Sequence, residues 1–410
     1  MKINLFKTQD IYQTLFPADE NGREINIYQL KDCTASGINL FYPNVLLKQK
    51  QTPDNYILPL LERTMSLQAG TVYEKNGMTF ECMPTNTTTI DTNPLFFFIY
   101  NTDNYFHFLY DSLPYLISFL SLKKSIHTLK LLMQYPNEQK KEIYPFVLEF
   151  LEILNITPPD IILVNKETQY ESVYISTSYT HDIDSNLPPR REIYEFYQDL
   201  VKSVQERYSH TNELPKKLYV SRRTHLHNDF SNIGTNYTTR RKMTNEDELV
   251  AQLLEAGYTE VFTEKLTTME KIMYFANATH VVGAIGGGIS NVLFSPPTTK
   301  LEAIVSPTFL EVNQRFKYSL EGVDIAYNHN TEHTEHGQFK RYMRVKSKDG
   351  KIIGEIEEIN ENTLLVSYTP HASNTGWNAQ NNYQQIKLNM NEVDKLDNGL
   401  NSAWRLIMNK

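Results

Sequence analysis

Thr279-His280-Val281-Val282-Gly283-Ala284-Ile285-Gly286-Gly287-Gly288-Ile289-Ser290-Asn291-Val292-Leu293-Phe294, followed closely by Lys300-Leu301-Glu302-Ala303-Ile304-Val305, decides the fold class. The run Val281-Val282 reads as a strand, the glycines as a turn, Ser290 and Asn291 as caps of a short helix, and 300–305 as the next strand. Glycines let the backbone approach a ligand closely, and free N–H groups at a helix start attract anions. The stretch thus has the makings of a phosphate cradle, with Gly286, Gly287, Gly288, Ser290 and Asn291 around the anion. A plain tight turn in an α/β sheet accounts for the same residues. The spacing G-A-I-G-G-G-I-S-N is neither G-x-G-x-x-G nor G-x-x-x-x-G-K-[ST], which removes the dinucleotide fingerprint and the ATPase loop.

Outward from this stretch, apolar runs alternate with helical patterns. Strands are predicted at 217–221, 259–262, 280–284, 300–305 and 323–326, and helices at 245–256, 268–276 and 309–319. Thr244 with Asp247, and Thr267 with Glu270, read as capping boxes. Residues 213–328 are therefore expected to form a doubly wound domain. Upstream, strands at 95–100, 129–133, 161–164 and 172–175 alternate with helices at 104–122 and 137–154, and Pro188-Pro189 opens a helix at 190–209. That gives a first α/β domain over 1–212, whose opening part is strand-rich with a hairpin at 70–82 turned by Asn76-Gly77. Beyond 329 the pattern becomes a strand-rich extension to 410, with a hairpin around Asp349-Gly350, a strand at 363–367, a loop at 370–384 and a terminal helix at 391–408.

Composition narrows the function classes. The 410 residues, 40% hydrophobic and 21% charged, suit two domains with full cores. A net charge of −8 argues against nucleic acid as the main partner. The 26 tyrosines and 20 phenylalanines fit sugar stacking, and fit a compositional bias equally well. Cys33 and Cys82 are the only cysteines, so neither a disulfide framework nor a cysteine zinc site is expected. The N-terminus lacks an apolar signal core and no run has the length of a membrane span. A cytoplasmic protein is expected, with peripheral membrane association left open.

Three constellations carry chemistry. At roughly 100° per residue, Asn104, His107 and Asp111 share one helical face while Phe106, Leu109, Leu113 and Leu116 share the other. Phe108 and Tyr115 project near the polar side. This face reads as a general base beside a stacking platform, or as a helix cap with a surface pair. Next, Tyr219-Val220-Ser221-Arg222-Arg223 ends a strand in two arginines, and Arg240-Arg241 precedes the following helix. The planar guanidinium suits phosphate oxygens at the ligand side of such a sheet, and pyrophosphate is the expected anion. Finally, His329, His333 and His336 have a spacing that a helix could turn into metal ligands, but the polar residues around them disfavour a helix, and no metal is expected.

In order and spacing these stretches resemble glycosyltransferase family 61. The resemblance runs through Asn104, His107, Asp111, Leu113 and Pro114; Tyr219, Ser221 and Arg222; Arg241, Asn245 and Glu246; Glu264, Leu266 and Thr267; and Val282 to Asn291 with Glu302. It covers about 100–325 and departs at Ile285 and Gly287, where the family has histidine and alanine. The family includes plant xylosyltransferases, protein-modifying N-acetylglucosaminyltransferases and bacterial capsule and lipopolysaccharide enzymes. The resemblance implies a GT-B architecture of two Rossmann-like domains across a cleft, and an inverting, metal-independent transfer from a nucleotide-sugar, UDP-linked, to a glycan hydroxyl without a cofactor. It also implies Asp111 as base with His107 beside it, and Asn104, Phe108 and Tyr115 toward the acceptor. The donor would be held by Arg222, Arg241, Glu264, Leu266, the loop 286–291 and Glu302. A non-catalytic nucleotide- or sugar-binding scaffold is the rival reading, because of Ile285. A nicotinamide oxidoreductase is weaker, because the glycine fingerprint is missing.

Overall fold

The computed structural model describes residues 11–36, 46–49, 56–57, 90–98, 105–134, 143–164, 168–177, 179, 190–208, 213–223, 243, 245–304, 324–328, 331–333, 339, 344–368, 384–395 and 404–406. The expected hairpin at 70–82, the helix at 309–319, the loop at 370–383, and Asn104, Arg240, Arg241, Thr244, His329 and His336 lie outside them.

The first sheet combines β1 (Ile11–Phe16), β2 (Ile25–Ser36), β3 (Leu46–Gln49), β4 (Tyr56–Ile57), β5 (Ile90–Phe97), β6 (Lys130–Gln134), β7 (Ile161–Val164) and β8 (Thr168–Ser176). Its order is β4-β3-β2-β8-β5-β6-β7, with β1 beside β2. The part β8-β5-β6-β7 is parallel, whereas β2 pairs antiparallel with β8 and carries the remaining strands. Helices α1 (Tyr115–Lys123), α2 (Pro145–Ile153) and α3 (Arg191–Arg207) accompany it. In α3, Ile193, Tyr197, Leu200, Val201 and Val204 are buried, the helical stripe that its sequence predicts. Arg190 anchors the start of α3: its guanidinium pairs with Glu192, donates to the carbonyls of Pro17 and Arg23, and stacks on Phe16.

The second sheet is parallel throughout. It contains β9 (Lys217–Val220), β10 (Thr259–Val261), β11 (His280–Ala284), β12 (Lys300–Ile304) and β13 (Asp324–Asn328) in the order β10-β9-β11-β12-β13. With α4 (Glu246–Glu255) and α5 (Thr268–Asn277) it covers both faces, as parallel strands require. Tyr219, Val282, Ala284 and Ile304 pack with Leu249 and Val250 of α4, and the alternate residues Leu218, Val220, Val281, Leu301 and Ala303 join a core that also holds the first sheet. That core is continuous from Phe96 and Phe119 to Ile272 and Phe294. Phe150 stacks on Phe294, and Tyr197 meets the same ring edge-on.

The chain then adds β14 (Thr331–His333) and an antiparallel sheet of β15 (Arg344–Ser347), β16 (Ile353–Asn360), β17 (Thr363–Tyr368), β18 (Gln384–Asn389) and β19 (Val393–Lys395), ordered β18-β17-β16-β15-β19 with its own small core. Gly350, at φ +76°, turns the β15–β16 hairpin where Asp349-Gly350 predicted it. The expected helix at 391–408 is not formed. Val393 to Lys395 pair with β15, and β20 (Trp404–Leu406) pairs with β14. Asn398-Gly399 interrupts the helical periodicity, and strand pairing satisfies the backbone groups on either side.

The expected helix at 104–122 is also modified. Tyr105–His107 is a single α-turn, Phe108–Ser112 a π-turn, and the regular helix α1 begins only at Tyr115. The Leu113 N–H reaches back five residues to the Phe108 carbonyl at 2.8 Å, while the Leu109 carbonyl is taken by the Tyr197 hydroxyl. Pro114 has no N–H with which to continue an α-ladder. The extra residue in this turn breaks the 100° phase. Phe108 and Tyr115 consequently point inward and are 0% exposed, so neither presents a ring to an acceptor.

Candidate active site

Open α/β sheets bind ligands outside the carboxyl ends of their strands, where the strand order reverses. In the second sheet that reversal falls between β9 and β11. The residues just past those two strands are Ser221-Arg222-Arg223 and Ile285-Gly286-Gly287-Gly288.

The two arginines take different roles. Arg222 Nη1 donates to the Ile285 carbonyl at 3.3 Å, and a Cβ on Gly286 would stand 3.5 Å from the same nitrogen, so the guanidinium lies against the glycine loop. Its backbone N–H donates to Glu246 Oε1 at 2.6 Å, an oxygen that also accepts from the Tyr219 hydroxyl at 2.8 Å and the Ser221 hydroxyl at 3.3 Å. Burial presses the Arg222 pKa down, and nearby Glu246 and Glu264 push it back, so the cation persists. The Tyr219 phenol is raised far above its ordinary value by burial and by Glu246, and remains a donor. Arg223 is committed elsewhere. It makes a fork to Glu260 at 2.9 and 2.6 Å and meets Asp247 at 2.7 Å.

The loop after β11 is held from inside. The Ser290 hydroxyl donates to the Gly287 carbonyl, and Asn291 Nδ2 donates to the Gly288 carbonyl at 2.8 Å. Asn291 Oδ1 accepts from the Tyr105 hydroxyl at 2.7 Å. Both side chains are wholly buried inside the 3₁₀ turn Ile289–Phe294, whose N-cap is Gly288. The Ser290 and Asn291 side chains therefore shape the loop from inside and do not cap a regular helix, a correction to the sequence reading. The N–H groups of Gly286, Gly287 and Gly288 have no acceptor among the described residues. Ile285 is buried, and its N–H extends the pairing with β12 by donating to the Ile304 carbonyl at 2.9 Å.

Two glycines predict opposite outcomes. At Gly288 a Cβ would stand 2.8 Å from Thr263 Oγ1 and 2.9 Å from Val220 Cγ1, whereas at Gly287 it would rest 3.8 Å from Tyr105 Cβ. Gly288→Ala should cost about 1–3 kcal/mol in urea unfolding through overpacking, and Gly287→Ala should stay within about 0.5 kcal/mol of the parent. Equal costs would remove the close packing of Gly288 as an explanation.

The loop between β10 and α5 closes a third side. Thr263–Lys265 forms a 3₁₀ turn, Leu266 packs against the core, and Glu264 Oε1 is buried without a hydrogen-bond partner. The Thr267–Glu270 box forms as predicted, and the Thr268 N–H donates to Glu149 Oε2 at 2.7 Å. At α4 the N-cap is Asn245, whose side chain clamps Leu406 through both backbone groups, at 2.8 and 3.0 Å.

The fourth side is the segment after β5. Tyr105 joins it to the glycine loop, so segments leaving the carboxyl ends of parallel strands in both sheets meet here. His107 and Asp111 lie on this segment, for which the structure describes the backbone only. Glu302 is not gathered in. It is exposed, two residues short of the end of β12, and its charge acts on Tyr258 ahead of β10. His333 lies in β14, and no group of metal-ligating side chains occurs among the described residues.

Three residues of the site escaped the sequence reading: Tyr105, Glu246 and Lys271. Glu246 stood in a quoted motif without a role. Lys271 had a legible signal, because it shares the apolar stripe of α5 with Thr268, Ile272 and Phe275. Tyr105 had none.

No helix of the described residues is long and apolar enough to cross a membrane. No curated protein matches the chain. Residues 105–301 match the family model described as Glycosyltransferase 61, a span that runs from Tyr105 through Arg222, Glu264 and the glycine loop into β12. The segments that line this crevice fall within the matched span, and residues 105–301 belong to glycosyltransferase family 61, whose members are glycosyltransferases.

Proposed function

We propose that the protein transfers a sugar, with inversion, from a nucleoside-diphosphate sugar of the UDP type to a hydroxyl of a glycan acceptor, in polysaccharide or glycoconjugate synthesis. The observation that carries this reading is the partly buried Arg222 guanidinium lying against a glycine loop whose N–H groups have no acceptor among the described residues, at the strand-order reversal of a parallel sheet. A diphosphate leaving group suits that combination of fixed cation and backbone donors. Arg241 joins as a further donor contact from the family motifs, and Asn104 belongs to the acceptor side. A GT-B arrangement, with a donor half over 213–328, an acceptor half over 1–212 and an added unit over 329–410, is supported by the parallel strands of the two sheets, whose carboxyl-end segments meet at Tyr105 and Asn291. A cytoplasmic setting completes the reading.

In the reaction, Asp111 takes the proton of the acceptor hydroxyl as its oxygen attacks the anomeric carbon. The bond from that carbon to the diphosphate breaks on the opposite side. Arg222 and the loop N–H groups receive the charge that develops on the departing oxygen. Calorimetric titration tests the donor site: Arg222→Ala should weaken UDP binding at least about tenfold, since a charged hydrogen bond contributes roughly 1.5–3 kcal/mol. Unchanged affinity would remove Arg222 from the site.

Turnover should survive EDTA, because the family motifs contain no D-x-D pair and the arginines supply compensating charge. Loss of activity that a divalent ion restores would promote a carboxylate pair such as Asp182 and Asp184, or the histidines at 329–336, to a metal role. One observation favours a second reading, a nucleotide-binding scaffold: the family histidine is replaced by Ile285, which packs in the core. UDP binding without turnover, across a screen of nucleotide-sugars for donor hydrolysis, would select that reading.

A further inference from the structure

Lys271 has no role in the site described above, yet it lies within it. The side chain is on the inward face of α5 and the residue is only 9% exposed. Its Nζ sits 4.9 Å from the centre of the Tyr105 ring. Among the described residues it donates no hydrogen bond and has no carboxylate at ion-pair distance.

Three carboxylates act on this ammonium from a distance: Glu149, Glu264 and Glu270. Two are already engaged. Glu149 accepts from the Thr268 N–H, and Glu270 closes the capping box with Thr267. Glu264 alone has a buried oxygen with no donor. A buried cation and a buried carboxylate that stay apart, each with hydrogen-bonding capacity left over, are costly for folding. Burial also lowers the Lys271 pKa, the direction expected of an ammonium largely shielded from water.

The chemistry left over is complementary. An ammonium only donates and a carboxylate only accepts, whereas each hydroxyl of a vicinal diol does both. Phosphate fits less well, because the free carboxylate of Glu264 would repel it, and Arg222 with the loop N–H groups already offers a cradle. Location agrees: Lys271 covers the Tyr105 ring that borders Gly287, and Gly288 packs on Thr263, the neighbour of Glu264. We infer that Lys271 and Glu264 form a hydroxyl-reading subsite that binds a vicinal diol of the nucleotide-sugar, an inference that rests on the donor-site reading above.

The diol belongs either to the ribose or to the transferred sugar, and one titration series separates them. The full-length protein, Lys271→Met and Glu264→Gln are titrated with UDP, 2′-deoxy-UDP and a panel of UDP-sugars. For ribose, the parent prefers UDP over 2′-deoxy-UDP by at least about tenfold, and both variants bring the ratio to within about twofold with 2′-deoxy-UDP binding unchanged. For the transferred sugar, that ratio is the same in all three proteins, and both variants lose the added affinity of a UDP-sugar over UDP. Lys271→Met should also unfold at a higher temperature than the parent, since it removes a largely buried ammonium that makes no hydrogen bond or ion pair among the described residues. Equal weakening of every nucleotide, no change at all, or a lower unfolding temperature for Lys271→Met overturns the inference. Arg222-dependent UDP binding without diol discrimination overturns it alone, and a parent protein that binds no nucleotide overturns the donor site with it.

Discussion

The Asp111→Asn variant is expected to keep its fold and its affinity for UDP, and to turn over roughly 10²–10⁴ times more slowly, the range that a general base supplies. An amide has nearly the shape of the carboxylate but cannot take a proton, so loss of rate at constant donor affinity isolates that step. The backbone around Asp111 favours a special role. It is a π-turn, a form met often at functional sites, and it is fixed by the Leu113 N–H to Phe108 carbonyl bond and by the Tyr197 hydroxyl. His107→Ala should slow the reaction less, as the loss of an orienting neighbour. If His107→Ala is the slower variant, the imidazole is the base and Asp111 holds its tautomer. Near-normal rates in both variants would return this turn to a purely structural role.

The second large effect is on stability. Glu246 opens α4, is 5% exposed, and places one oxygen against three donors: the Tyr219 hydroxyl, the Ser221 hydroxyl and the Arg222 N–H. Glu246→Ala leaves those donors inside without a partner, and leaves Arg222 without its nearest compensating charge. Removing one member of such a buried network costs about 3–5 kcal/mol, which should appear as a lowered urea midpoint at unchanged slope. UDP affinity should fall as well, because the end of β9 that presents Arg222 is moored to this carboxylate. Glu246→Gln should recover part of the stability, as its amide oxygen still accepts hydrogen bonds. An unchanged midpoint in Glu246→Ala would show that water replaces the carboxylate and that the network is not sealed.

The second parallel sheet was legible because its signals are local. Apolar runs such as Leu218-Tyr219-Val220 and Val281-Val282, and the Thr267–Glu270 box, depend on neighbours within a turn or a strand. The pairing of β2 with β8 depends on residues far apart in the chain, and no spacing announces it. At 108–112 the deciding partners were Tyr197, from α3, and Pro114, which together turned an α-helical pattern into a π-turn. Ser290 and Asn291 fit a capping motif by type, but the carbonyls of Gly287 and Gly288 claimed them first. The C-terminal periodicity failed for a similar reason, since β14 and β15 offered 393–395 and 404–406 better backbone partners than a helix interrupted by Asn398-Gly399.

The aromatic contact of Phe294 with Phe150 and Tyr197 bears on how the molecule can move. Separating the two parallel sheets would return parts of three large rings to water, together with the Tyr105–Asn291 bond. At about 1.5–3 kcal/mol for each fully buried large side chain, exposing parts of three costs on the order of 5 kcal/mol. A state so costly is populated at roughly one part in several thousand. The seam is therefore a weld and not a hinge. Substrates are therefore expected to reach the crevice by a route that leaves it closed.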